Sequence, residues 1–157
     1  MRGFGVVAIA LALAACAETA RDSLAAAREA LAGARYAEAV SAADAGLAGG
    51  ADEVTAWGLE LVKLEALARN GRGDETVAQL ARIAEQRPQN VPADQYAATA
   101  DQLRGADQRA VAIQVLDLGL KRFPEDTALL AQIEAAKEAP APGSDELKML
   151  ESLGYVE

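Results

Sequence analysis

The sequence predicts an all-α protein made of successive helix pairs, and three observations carry that expectation. Strong helix formers (Ala, Leu, Glu, Arg) dominate the 157 residues, with 39 alanines among 81 apolar side chains. Aromatic residues make up only 4%, too few for a sandwich or barrel, whose strands favour aromatic and β-branched side chains. Similar stretches also recur along the chain, separated by turn-forming residues. The 42 apolar residues larger than alanine are enough for one modest core.

The same composition excludes several chemistries. Without His there is no Ser-His-Asp or Cys-His pair and no imidazole ligand. A single Cys forms neither an intramolecular disulfide nor a thiolate zinc site. A formal charge of -9 argues against a nucleic-acid partner, which needs a basic stripe. No cofactor or metal is expected.

From the start of the chain, Met1-Arg2-Gly3 supplies a short positive end, and Phe4 to Ala17 runs 14 residues without a charge. As a helix that run covers about 21 Å at ~1.5 Å per residue, short of the ~30 Å hydrocarbon core. It reads as a secretory signal over residues 1–15. The run closes on Leu13-Ala14-Ala15-Cys16. That segment resembles the lipobox of bacterial lipoproteins: a branched apolar residue, two small ones, then cysteine. The resemblance implies a diacylglycerol on Cys16, cleavage just before it, and a lipidated end with a short linker over 16–19. A lone free thiol in an oxidising compartment is a liability, and two or more acyl chains hold a protein at a membrane where one does not. Ala17, in place of Asp, implies by resemblance to Gram-negative sorting an outer-membrane protein facing the periplasm.

Three stretches then align: Gly33-Ala34-Arg35-Tyr36 through Gly46-Leu47, Gly71-Arg72-Gly73-Asp74 through Arg87-Pro88, and Asp107-Gln108-Arg109 through Gly119-Leu120 and Phe123-Pro124. Gly33 to Gly71 is a step of 38, and Pro88 to Pro124 a step of 36. These residues resemble degenerate tetratricopeptide repeats, with a turn Gly, an aromatic (Tyr36), small residues at Ala39 and Ala112, and closing prolines. The resemblance implies a right-handed helical-hairpin solenoid with about three pairs.

The expected pairs are 20–32 with 36–47, 53–69 with 74–86, and 93–104 with 107–122. Tyr36, Val40, Ala43 and Leu47 share one helical face, as do Val54, Trp57, Leu61, Leu64 and Ala68. Asp52 and Asp126 sit at N-cap positions, Asn70-Gly71 at a helix end, and Pro88, Pro92 and Pro124 punctuate. Residues 127–138 predict a capping helix with Leu129, Leu130 and Ile133 inward, completing a helical domain over 20–138. Ala139-Pro140-Ala141-Pro142-Gly143 reads as a linker (139–144), followed by an amphipathic helix and tail over 145–157.

Motifs that hint at chemistry have simpler readings. Arg72-Gly73-Asp74 is explained by a turn Gly and Asp74 as a helix cap, and no strand precedes it to make a phosphate loop. The acid pairs Asp52/Glu53, Asp74/Glu75 and Glu125/Asp126 stand at helix starts, where the dipole favours negative charge. The first helices of such pairs line the concave face of a tetratricopeptide array. By that resemblance Arg21, Arg28, Glu65, Arg69, Asp94, Asp101 and Arg104 are the candidate partner contacts. Leu147, Leu150, Leu153, Tyr155 and Val156 form an apolar set that docks either on the chain's own helices or on another protein. The expected function is a non-catalytic, lipid-anchored scaffold or accessory subunit contacting envelope proteins. A self-associating structural lipoprotein (a homo-oligomer) is the second reading and a carboxylate-based enzyme the third.

Overall fold

The computed structural model describes residues 4–138 and 140–157, with side chains from Glu18 onward. Among the described residues the chain is all-helical, without strands. The helices are α1 Phe4–Ala32, α2 Tyr36–Ala48, α3 Glu53–Arg69, α4 Gly73–Gln86, α5 Ala93–Gly105, α6 Arg109–Arg122, α7 Thr127–Lys137 and α8 Asp145–Ser152. A 3-10 turn, Pro88–Asn90, joins α4 to α5. The chain divides into two compact units, Met1–Ala66 and Leu67–Glu157, with the boundary inside α3. The helix expected from residue 20 begins at Phe4, because the apolar Ala/Leu run before it is itself helix-forming. The lipobox side chains, Cys16 included, lie outside the described residues.

The turn between paired helices is built the same way each time. Ala34, Gly71 and Asp107 all adopt the left-handed conformation, at steps of 37 and 36 residues. At each, that residue's N–H donates to the carbonyl three residues back, and the next N–H reaches five back (Arg35 to Ala30, Arg72 to Leu67, Gln108 to Leu103, at 2.8–3.0 Å). This is the paired hydrogen-bond pattern that satisfies the last carbonyls of a helix. The second helix starts two residues beyond the left-handed one, at Tyr36, Gly73 and Arg109. Gly143 is also left-handed, another step of 36, and α8 starts two residues later at Asp145. α7, however, ends at Lys137, six residues before Gly143, and α8 packs on α6.

Two helix starts differ from expectation. Asp107 is the left-handed turn residue and not the beginning of α6, since Asp tolerates that conformation better than most side chains. Asp74 lies inside the first turn of α4; the cap position is Arg72, whose guanidinium pairs with Glu75. Asp52 and Asp126 do cap. Thr55 N–H donates to Asp52 at 2.9 Å, and Ala128 and Leu129 N–H groups donate to Asp126 at 3.1 and 3.0 Å.

In the first unit Ala27, Ala43, Leu59 and Val62 form a buried cluster edged by Leu24, Leu31 and Leu47. Of the expected face of α3, Leu64 and Ala68 are fully buried, Trp57 and Leu61 half-buried and Val54 82% exposed, while Thr55, Leu59 and Val62 are buried as well. Gly46 explains the burial of Leu59. A Cβ there would meet a Leu59 methyl at 2.8 Å and Ser23 Cβ at 2.9 Å, so Leu59 enters a notch that only glycine leaves open. The second unit repeats the device. A Cβ on Gly119 would stand 2.9 Å from both Leu129 Cδ1 and Tyr96 Cβ. Leu129 is buried in that notch with Ile133, while Leu130, expected inward, is 41% exposed.

Candidate functional site

The candidate partner contacts distribute over both units. In the first, Arg21 pairs with Asp52 at 3.6 Å, Arg28 is exposed and Glu65 is half-buried. In the second, Arg69 and Asp94 are exposed, and Asp101 pairs with Arg104 one helical turn away. Gln132 of α7 also donates to Asp101, at 3.5 Å. Asp101 and Arg104 are in direct contact with each other. Both are exposed enough for solvent to screen the pair, so it contributes little to stability.

The second set converges more closely. α8 packs on α6, with Leu150 fully buried and Leu147, Leu153, Tyr155 and Val156 half-buried. The geometry after α8 explains how Tyr155 reaches its place. Gly154 is left-handed, and Tyr155 N–H turns back to the Leu150 carbonyl at 2.9 Å, reversing the chain toward α6. The Tyr155 hydroxyl then donates to Asp117 Oδ1 at 3.0 Å, and Lys121 holds the other oxygen at 2.7 Å. Burial pushes the Tyr155 phenol up to about 12, reinforced by its hydrogen bond to Asp117 and by that carboxylate's charge.

Asp117 is the residue that sequence reasoning passed over. It is only 8% exposed, on the same helix as the buried Ile113, Leu116 and Leu120. A carboxylate taken from water is costly unless its oxygens find donors, and here each oxygen has one. The signal was a lone acid in Val115-Leu116-Asp117-Leu118, an otherwise apolar run.

A depression of about 480 Å³ is lined by α7 together with the end of α5 and the starts of α6 and α8. It is walled by Ala131, Gln132, Ala135 and Ala136 on one side and Glu146 on the other, with Arg104 and Arg109 also lining it. The start of α6 and the start of α8 line a second depression of about 550 Å³. Ser144 opens α8 by accepting from Leu147 N–H at 3.2 Å. Among the described residues no cluster of three or more His, Cys, Asp or Glu is placed to hold a metal ion, and no helix is long and apolar enough to cross a membrane.

At the other end of α6, Arg122 reaches α4. It donates to the Ala84 carbonyl at 3.2 Å and also to Pro88, while its guanidinium lies 5.6 Å from the Phe123 ring centre. Phe123 in turn meets Tyr96 edge-on, ring centres 6.1 Å apart. The Arg122 contacts tie α6 to α4 and occupy carbonyls of α4 and of the 3-10 turn after it, so they read as architecture.

Comparison with family models, curated proteins and solved structures finds no match.

Proposed function

We propose that the chain is a non-catalytic scaffold of tetratricopeptide-like helix pairs, anchored by a lipid on Cys16. It serves as an accessory subunit of an assembly, secretion or export complex in a bacterial envelope. The observation that carries this reading is the recurring left-handed turn, every 36–37 residues, with the following helix always two residues on. Stacked helix pairs of near-constant length are an architecture for presenting surface to other proteins, since each unit buries its apolar face on its neighbours. The side-chain inventory points the same way: without His, and with one Cys next to a signal-like run, few groups remain for covalent or acid–base chemistry.

In this reading the lipid sits only four residues before Ala20, the first side chain of α1 known to be buried. The helical region then stands close to the membrane surface instead of on a long tether. An acidic chain held there needs the covalent anchor, since its net charge of -9 gives no attraction to anionic lipids. Arg21, Arg28, Glu65, Arg69, Asp94, Asp101 and Arg104 are the proposed partner-facing side chains.

The test is membrane fractionation. The wild-type chain is expected to stay with membranes through high-salt and carbonate washes, and Cys16→Ser to appear in the wash. Retention of the Cys16→Ser variant counts against the lipid anchor. Crosslinking in the native membrane, with identification of the captured envelope protein, tests the scaffold role.

A further inference from the structure

We infer that the start of α3 lies on the lipid surface, with Val54 and Trp57 as its contacts, an inference that builds on the lipid anchor proposed for Cys16. Packing within the first unit places these residues at the anchored end. Arg21 pairs with Asp52 at 3.6 Å, and a Cβ on Gly58 would stand 3.0 Å from Leu24 Cδ2. α1 and α3 therefore run side by side in the same direction, with their N-terminal ends together. α2 returns to that end, since a Cβ on Gly46 would meet Ser23 Cβ at 2.9 Å. Cys16 lies five residues before Arg21, about 7.5 Å along a helix.

What this end exposes suits a membrane. Val54 is 82% exposed, whereas the other exposed large apolar side chain among the described residues, Leu130, is 41% exposed. One exposed valine needs no explanation by itself; its place beside the anchor gives it one. Trp57, one turn on, is half-buried. Every Cβ of a helix tilts toward the N-terminus, so both side chains lean toward the anchored end. An indole, apolar in body with one N–H, is favoured at the level of lipid headgroups. The connection beside them, Gly49-Gly50-Ala51, carries no charge, while those before α5 and α7 hold Arg87 and Glu125. Exposed Glu18, Asp22 and Glu53 outnumber Arg21 around this end and repel anionic lipid, so the surface that fits is zwitterionic.

The mature, acylated chain reconstituted into dioleoyl-phosphatidylcholine vesicles tests the contact, because Trp57 is the one tryptophan in the sequence. In vesicles carrying lipids brominated near the headgroup end of the acyl chain, Trp57 fluorescence is expected to be quenched, and less so by bromines placed deeper. Val54→Asp should lose that quenching while floating with the vesicles as the wild type does, and Val54→Leu should keep it. Far-UV circular dichroism should be the same for all three, since Val54 is exposed. A chain that floats with the vesicles but leaves Trp57 unquenched overturns the contact and leaves the anchor standing. Equal quenching in Val54→Asp overturns the contact as well. A chain that does not float overturns the anchor, and this inference with it.

Discussion

Single residues set the turns, and one of them does so against its own preference. The left-handed conformation is cheap for Gly71 and tolerable for Asp107, but it costs an alanine roughly 1 kcal/mol because its Cβ crowds the carbonyl. Ala34 sits there at φ 55°. Ala34→Gly is therefore expected to stabilise the first unit by about 0.5–1 kcal/mol, less the entropy that glycine adds to the unfolded chain, as read by urea denaturation. Asp52 makes a second residue-scale case. Hydrogen bonds from the Thr55 N–H and hydroxyl hold its carboxyl below the usual 3.8, with Arg21 adding to the effect. A depressed folded value means that the stabilisation is complete above pH 3.8 and disappears as pH falls through the lower folded value. Asp52→Ala should lower Tm at neutral pH, and the gap between variant and wild type should close as the acid limb is reached.

Helix faces are decided by glycine notches. A Cβ on Gly119 would stand 2.9 Å from Tyr96 Cβ, an atom fixed to the backbone that cannot rotate away. Gly119→Ala gains helix propensity but forces α5 and α6 apart, so a net loss of about 1–2 kcal/mol is expected. Gly105, whose Cβ would meet nothing within 4 Å, is the control, and Gly105→Ala should be neutral or slightly stabilising. Equal effects at the two positions in thermal denaturation would show that the notch does not matter. These notches also explain which parts of the fold were legible. Helix positions and caps follow from local rules, which is why α2, α3 and α5 begin where composition, Asp52 and Pro92 put them. Periodicity places Leu64, Ala68, Leu129 and Ile133 inward, where they are buried, but it also places Val54 and Leu130 there and misses Leu59, because it cannot see a hole in the facing helix. Val54 continues an apolar pattern, but Leu59 is the residue opposite Gly46.

Over the whole chain, the repeat was legible for three pairs because Gly33, Gly71, Pro88 and Pro124 mark it in the sequence. Pro140 and Pro142 look like a linker, and only the backbone angle of Gly143 reveals the retained step of 36. The candidate surface was less legible than the fold. Exposed charges on first helices identify no site by themselves, whereas Asp117 becomes informative once Tyr155, 38 residues away, is seen to reach it. That long-range bond gives the α8 contact a measurable pH dependence. Tyr155 in the folded chain titrates near 12 against an ordinary 10.0, so folding favours the neutral phenol. The folded state then holds more protons than the unfolded one between those values, and stability falls as pH rises through them. Below pH 10 the contribution is intact. Burial also raises Tyr96, partly offset by Arg122, so absorbance alone does not isolate one ring. The difference between wild type and Tyr155→Phe does: the phenolate signal lost on substitution is expected to have its midpoint near pH 12. The fall in Tm between pH 10 and 12 should be shallower in the variant. A lost signal centred at pH 10 would mean that Tyr155 is solvated in solution and that α8 is not seated on α6.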